Sequence, residues 1–143
     1  MVNRLFLDTN IIIDYVLERN YELDAVNEIM HLAELGKLEL FISESVITTS
    51  FYFLQKQNID ALSVLREICK ILNVIPFSRD VLYLSVEKYK DIEDGLLYFL
   101  ATSAKMNYFI TRNVKGFVFQ FPSLPVISPT NFLKEIYFND LSK

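Results

Sequence analysis

The sequence predicts an α/β protein, a three-layer α/β/α sandwich built on a mainly parallel central sheet of about five short strands. Two observations carry that expectation. Short apolar runs recur along the 143 residues, each separated from the next by a segment of helical period. Strands alternating with helices on one short chain need crossover connections, which makes neighbouring strands parallel. Two of the runs also stop abruptly in polar triplets, Asp8-Thr9-Asn10 and Thr111-Arg112-Asn113. Those triplets read as strand ends at the foot of a helix, where open α/β sheets place their ligands.

Leu5-Phe6-Leu7 is the first strand, and Ile11 to Leu17 a short helix that ends around Glu18-Arg19-Asn20. Asp8, Thr9 and Asn10 are all good helix caps, so a capping role for Asp8 stands beside a ligand role. Tyr21 to Leu35 has Leu23, Val26, Ile29, Met30 and Ala33 at helical spacing, with Gly36 as its stop. His31, the only histidine, lies near that helix's end and reads as a surface or capping residue. Lys37 to Ile42 suits a second strand, and Ser43 caps a helix carrying Glu44, Val46, Ile47, Phe51 and Leu54. Asn58-Ile59-Asp60 breaks the pattern before a helix over Ala61 to Leu72, expected to turn Leu62, Leu65, Ile68, Cys69 and Leu72 inward. Asn73 to Phe77 is a third strand, Ser78 opens a helix to about Tyr89, and a further helix starts after Asp91. Asn107 to Thr111 is a fourth strand, Pro125-Val126-Ile127 a fifth, and Pro129 opens the helix that carries Asn131 to Phe138.

Hydrophobic residues make up 52% and aromatics 14%, with only three Gly and four Pro, a composition that excludes disorder. The length and the lack of any linker-like stretch suit one domain over residues 1–143. A single cysteine excludes an internal disulfide and suits a reducing, cytoplasmic setting, and Cys69 reads as a small buried hydrophobe. The start has no secretory pattern, and no charge-free apolar stretch reaches the roughly 18 residues that a membrane span needs. With 18 acidic residues against 14 Lys and Arg, the formal charge of −4 argues against nucleic-acid binding by a broad basic face. It leaves room for a nuclease whose positive charge is a metal ion held by carboxylates.

The carboxylates for such a site are in view. Asp91 and Asp94 are three apart at the start of an apolar helix, so they project from one face about one turn apart. An acidic first turn on a solvated surface is the plainer account of the same pattern. Asp8, Asp91 with Asp94, and Asn113 fall at strand ends or helix starts, and Glu44 is a fourth candidate just past the second strand. Carboxylate and amide oxygens without a second His or Cys suit Mg²⁺ or Mn²⁺. Such an ion can activate water for attack on a phosphodiester, so phosphoryl hydrolysis is the expected reaction class. Glycine-rich nucleotide loops and nucleophile-elbow sequences are both missing from the chain.

Leu7-Asp8-Thr9-Asn10-Ile11-Ile12-Ile13-Asp14, then Asp91-Ile92-Glu93-Asp94-Gly95-Leu96, then Ile110-Thr111-Arg112-Asn113 resemble the motifs of the PIN-domain family, in order and along nearly the whole chain. Within it the likeness is to VapC-type toxins. The resemblance implies a Mg²⁺- or Mn²⁺-dependent ribonuclease, usually dimeric and often neutralised by a small antitoxin protein. It makes Asp8 and Asp94 metal ligands and Asp91 a support for the cluster, with Thr9, Asn10 and Thr111 holding the site by hydrogen bonds. Two departures from the family pattern stand out. Thr49 occupies the place where family members carry a glutamate, and Glu44 lies five residues earlier, roughly 140° round the helix. Asn113 stands where an acid is common; it can still offer a carbonyl oxygen to a cation, next to Arg112. The thinned acidic set leaves a second expectation open, a degenerate domain that binds RNA or protein without cutting.

Overall fold

The computed structural model describes residues 2–141, apart from the side chains of residues 82–84, 86 and 87. Five strands form one sheet in the order β3-β2-β1-β4-β5, and every adjacent pair is parallel. They are β1 (Asn3–Leu7), β2 (Leu38–Ser43), β3 (Leu72–Ile75), β4 (Tyr108–Ile110) and β5 (Val126–Ile127). The first strand is therefore the central one. Leu5, Phe6 and Leu7 have no exposed surface, as a strand covered on both faces requires.

Helices α1 (Thr9–Leu17) and α2 (Leu23–Glu34) lead from β1 to β2, and α3 (Glu44–Lys56) and α4 (Ala61–Ile68) from β2 to β3. The chain then crosses back over the sheet through α5 (Arg79–Lys88) and α6 (Ile92–Ser103) to reach β4. Right-handed crossovers running in opposite directions put their helices on opposite faces. Accordingly α1 packs on α2 and α3, and α3 on α4, while α5 packs on α6 in the other layer. After β5 comes one continuous helical stretch of three parts, α7 (Pro129–Asn131), a π-helical segment (Phe132–Tyr137) and α8 (Phe138–Leu141).

Local chemistry accounts for the boundaries. Ser43, Asp60, Ser78 and Ser128 each accept a backbone N–H from the first turn of the helix that follows. Gly36, at φ +74°, closes α2 with the Lys37 N–H bonded to the Leu32 carbonyl and its own N–H to that of Ala33. In the second layer Phe99, Tyr98 and Leu97 are buried against Phe109, Phe117 and Tyr89.

One expectation fails at α4. The helix stops at Ile68, Leu72 opens β3, and Cys69 is exposed rather than buried. The buried stripe is Ala61, Leu65 and Ile68, spaced four and three, which leaves Leu62 (52% exposed) and Cys69 one position off the face that meets the core. Among the described residues no helix is long and apolar enough to cross a membrane.

Candidate active site

The sheet order reverses direction at β1, with β2 on one side and β4 on the other. The carboxyl edge beside that strand is the switch point, where this class of fold opens a crevice. Asp8 stands there, immediately after β1, and only 6% of its surface is exposed. Its backbone is extended (ψ 158°) and its Oδ1 accepts the Thr9 N–H at 2.8 Å, so it caps α1. Capping thus occupies Oδ1, while Oδ2 faces β4.

Oδ2 accepts the Thr111 hydroxyl at 2.8 Å and the Asn10 amide at 3.3 Å. Thr111, buried at the end of β4, in turn accepts Asn10 Nδ2 at 3.2 Å and the Asn113 N–H at 3.1 Å, which uses its one donor and both acceptor positions. Asn10 Oδ1 accepts the Arg112 N–H at 3.2 Å. These bonds tie the ends of β1 and β4 together and fix the orientation of the Asp8 carboxylate.

The second acid comes from α6. Asp91 caps that helix, its Oδ1 accepting the N–H groups of Glu93 (3.0 Å) and Asp94 (3.2 Å), which places Asp94 in the first turn. Gly95 follows because α5 lies too close for a side chain; a β-carbon there would sit 3.0 Å from the Cβ atoms of Ser85 and Tyr89. Burial raises the Asp94 carboxyl to about 7, helped by repulsion from Asp8, Asp91 and Glu93. Asp8 is raised as well, chiefly by burial and also by Glu93 and Asp91, against the opposing hydrogen bonds from Thr111 and Thr9. An acid after β1 and an acid of α6 therefore come within electrostatic reach at one edge, and the Asp8 charge makes Asp94 harder to ionise.

Glu93 is the site residue the sequence reading passed over. Its Oε1 accepts the Thr9 hydroxyl at 3.4 Å, and its charge acts on both Asp8 and Asp94. The available signal was its place in the first turn of α6 beside Asp94. Among the described residues the side chains of the other candidates, Glu44, Thr49, Asn113 and Arg112, make no hydrogen bond to Asp8 or Asp94. Glu44 and Thr49 are both exposed on α3, and Glu44 is not among the carboxylates that act on Asp8 or Asp94. Asn113 is exposed and its amide lies over Gly116, where a β-carbon would meet Nδ2 at 2.6 Å. The Arg112 side chain turns to Asp14, donating from Nε to Oδ2 at 2.8 Å. His31 is exposed on α2, on the face away from the core.

A PIN domain family model matches residues 4–115, a span that contains Asp8, Asp91, Asp94 and Thr111. The chain belongs to the PIN domain family. Among characterised relatives of this PIN domain, Ribonuclease VapC1 of Aquifex aeolicus is 28% identical over 136 residues, which covers 90% of this chain and 92% of the relative. Two solved structures share the fold. One is the VapBC2 assembly of Rickettsia felis bound to a DNA fragment from its promoter, at TM-score 0.67 and 21% identity over 87% of this chain and 98% of that one. The other is a toxin-antitoxin complex from Klebsiella pneumoniae, at TM-score 0.65 and 23% identity over 87% and 97%.

The donor set fits a divalent cation. Both carboxylates are pushed toward protonation, and Arg112, next to Thr111, turns its guanidinium to Asp14, so a bound cation would relieve the repulsion. Among the described residues no three His, Cys, Asp or Glu side chains converge on one point. Asp8 and Asp94 offer carboxylate oxygens, donors of the hard kind that an ion such as Mg²⁺ takes one or two of while keeping several waters.

Proposed function

We propose that this PIN domain is a Mg²⁺- or Mn²⁺-dependent endoribonuclease and the toxin of a toxin-antitoxin pair, working as a homodimer and held in check by a small antitoxin protein. The observation that carries the reading is the meeting of Asp8 and Asp94 at the switch point, both raised toward protonation. RNA as the substrate is supported by the name of the Aquifex aeolicus relative, and an antitoxin partner by the titles of the two structures that share the fold.

In this reading Asp8 and Asp94 are the metal ligands, Asp91 and Glu93 support them, and Thr9, Asn10, Thr111 and the main-chain N–H of Arg112 hold the arrangement. The bound ion supplies a Lewis acid that activates water and stabilises the leaving oxygen of a phosphodiester. Thr111 and Asn10 keep Oδ2 of Asp8 in one orientation, so little reorganisation is needed on loading. A cation held there would displace the proton that burial keeps on Asp94, a carboxyl raised to about 7, which would make loading pH-dependent.

The test is cleavage of a single-stranded RNA with Mg²⁺ or Mn²⁺, with EDTA, and with Asp8→Asn and Asp94→Asn. Activity that is lost in EDTA and in either variant supports the proposal; activity that persists in EDTA rejects it. The exposure of Glu44, Thr49 and Asn113 favours a second reading, a domain that binds RNA or protein without turnover. Calorimetry showing no Mg²⁺ or Mn²⁺ binding at millimolar concentration, together with intact RNA, would select it.

A further inference from the structure

Asp14 lies outside the acidic pair and has no exposed surface. Its carboxylate collects three donors: Arg19 Nε at 3.0 Å and Asn20 Nδ2 at 2.6 Å on Oδ1, and Arg112 Nε at 2.8 Å on Oδ2. Arg19 and Asn20 reach it because the chain doubles back after α1 through left-handed residues at Glu18 (φ 50°) and Asn20 (φ 75°). Arg112 reaches it from the far end of the sequence, and from the strand end that carries Thr111.

Arg112 is held at two points, by its main-chain N–H on Asn10 Oδ1 and by its side-chain Nε on Asp14. Arginine usually grips a carboxylate with its terminal fork. Here the contact is side-on, through Nε, and among the described residues the two terminal amino groups have no partner. The side chain keeps 29% of its surface in solvent. A fixed, partly exposed guanidinium thus sits one residue from the threonine that orients Asp8. The neighbouring site, with Asp8, Asp91, Glu93 and Asp94, repels any polyanion that approaches it.

We infer that Arg112 is a phosphate-binding residue, gripping a backbone phosphodiester of RNA beside the one that is cut. Its fork matches two phosphate oxygens, and Asp14 is the positioning residue that presents it. The inference rests on the ribonuclease reading and names how that site holds its substrate.

The experiment measures kcat and KM on a short single-stranded RNA across a salt series, for wild type, Arg112→Gln, Arg112→Lys, Asp14→Asn and Arg19→Gln. A second arm measures binding of the same RNA on an Asp94→Asn background, where turnover is not needed. Arg112→Gln is expected to raise KM on the order of tenfold with kcat little changed, and to lower the slope of log KM against log salt by about one. Arg112→Lys should recover the salt slope and only part of the affinity, because it keeps the charge without the fork. Asp14→Asn should shift KM in the same direction, while Arg19→Gln, at the opposite end of α1, lowers the melting temperature and leaves KM alone. If Asp14→Asn does not fold, Arg112→Gln decides alone. A folded Arg112→Gln with unchanged KM, binding and salt slope overturns the inference, as does a fall in kcat alone. Wild type that cuts no RNA, or cuts as well with Asp8→Asn, removes the ribonuclease reading; the binding arm still decides the phosphate contact.

Discussion

The Asp94 carboxyl shows how much the site depends on what is brought to it. Its folded value of about 7 against 3.8 in a free side chain means that the metal-free fold holds a proton the unfolded chain releases. The sign follows: this contribution to stability is complete below about pH 4 and is lost as pH rises through about 7. Asp8 adds in the same direction. Thermal melts in EDTA should therefore show the melting temperature falling from pH 5 to pH 8. Asp94→Asn, which does not ionise, should flatten that fall, and saturating Mg²⁺ should do the same in the wild type. Thr111→Val removes the hydroxyl that serves Asp8, Asn10 and Asn113 together, and should destabilise by about 1–3 kcal/mol while weakening Mg²⁺ affinity measured by calorimetry. Asp8, Asp94 and Thr111 were legible in the sequence because each sits at a strand end or helix start that the hydrophobic period locates. Glu93 was not, because its contact with Thr9 depends on how α6 approaches α1 across 84 positions. Asp14 was not, because a buried carboxylate is made tolerable by partners that no local pattern reveals.

At the scale of elements, the position of Asp94 depends on the first turn of α6 and on the packing of α5 against it. Asp91→Ala removes the cap that takes up the Glu93 and Asp94 N–H groups, and should cost about 1 kcal/mol in chemical denaturation. Gly95→Ala should cost about 1–3 kcal/mol by forcing α5 away, because the new methyl would press on Ser85 and Tyr89. Both variants should also weaken Mg²⁺ binding, since they shift the turn that carries Asp94. The elements themselves were largely readable from apolar period and caps, as at Ser43 and Gly36. The mistake at Cys69 has a definite cause. A helix of two turns with Leu at 62 and 65 presents two candidate stripes, and only the packing of α3 on α4 chooses between them.

For the whole molecule, placing β1 in the middle of the sheet means that the site is joined by long-range contacts, Asp8 to Thr111 and Thr9 to Glu93. A second fastener of this kind holds the end of the chain. Buried Glu22, before α2, accepts both the N–H (2.9 Å) and the hydroxyl (2.6 Å) of Thr130 in α7. Glu22→Ala should speed hydrogen exchange in residues 129–141 and leave β1 protected, which mass spectrometry of peptides would resolve. The fold class was legible because alternating strands and helices admit few topologies. The strand order was not, since nothing local says that β4 returns to the far side of β1.

Asp8 meets Thr111 across 103 positions, and Asp14 meets Arg112 across 98. During synthesis β1 leaves the ribosome with Asp8 held only by its neighbours Thr9 and Asn10, while Thr111 has yet to be translated. The acid pair is incomplete until α6 has emerged, and Asp8 lacks its tie to Thr111 until β4 follows. Whatever chemistry this edge performs, the nascent chain is incapable of it until β4 has emerged, a delay written into the order of the strands.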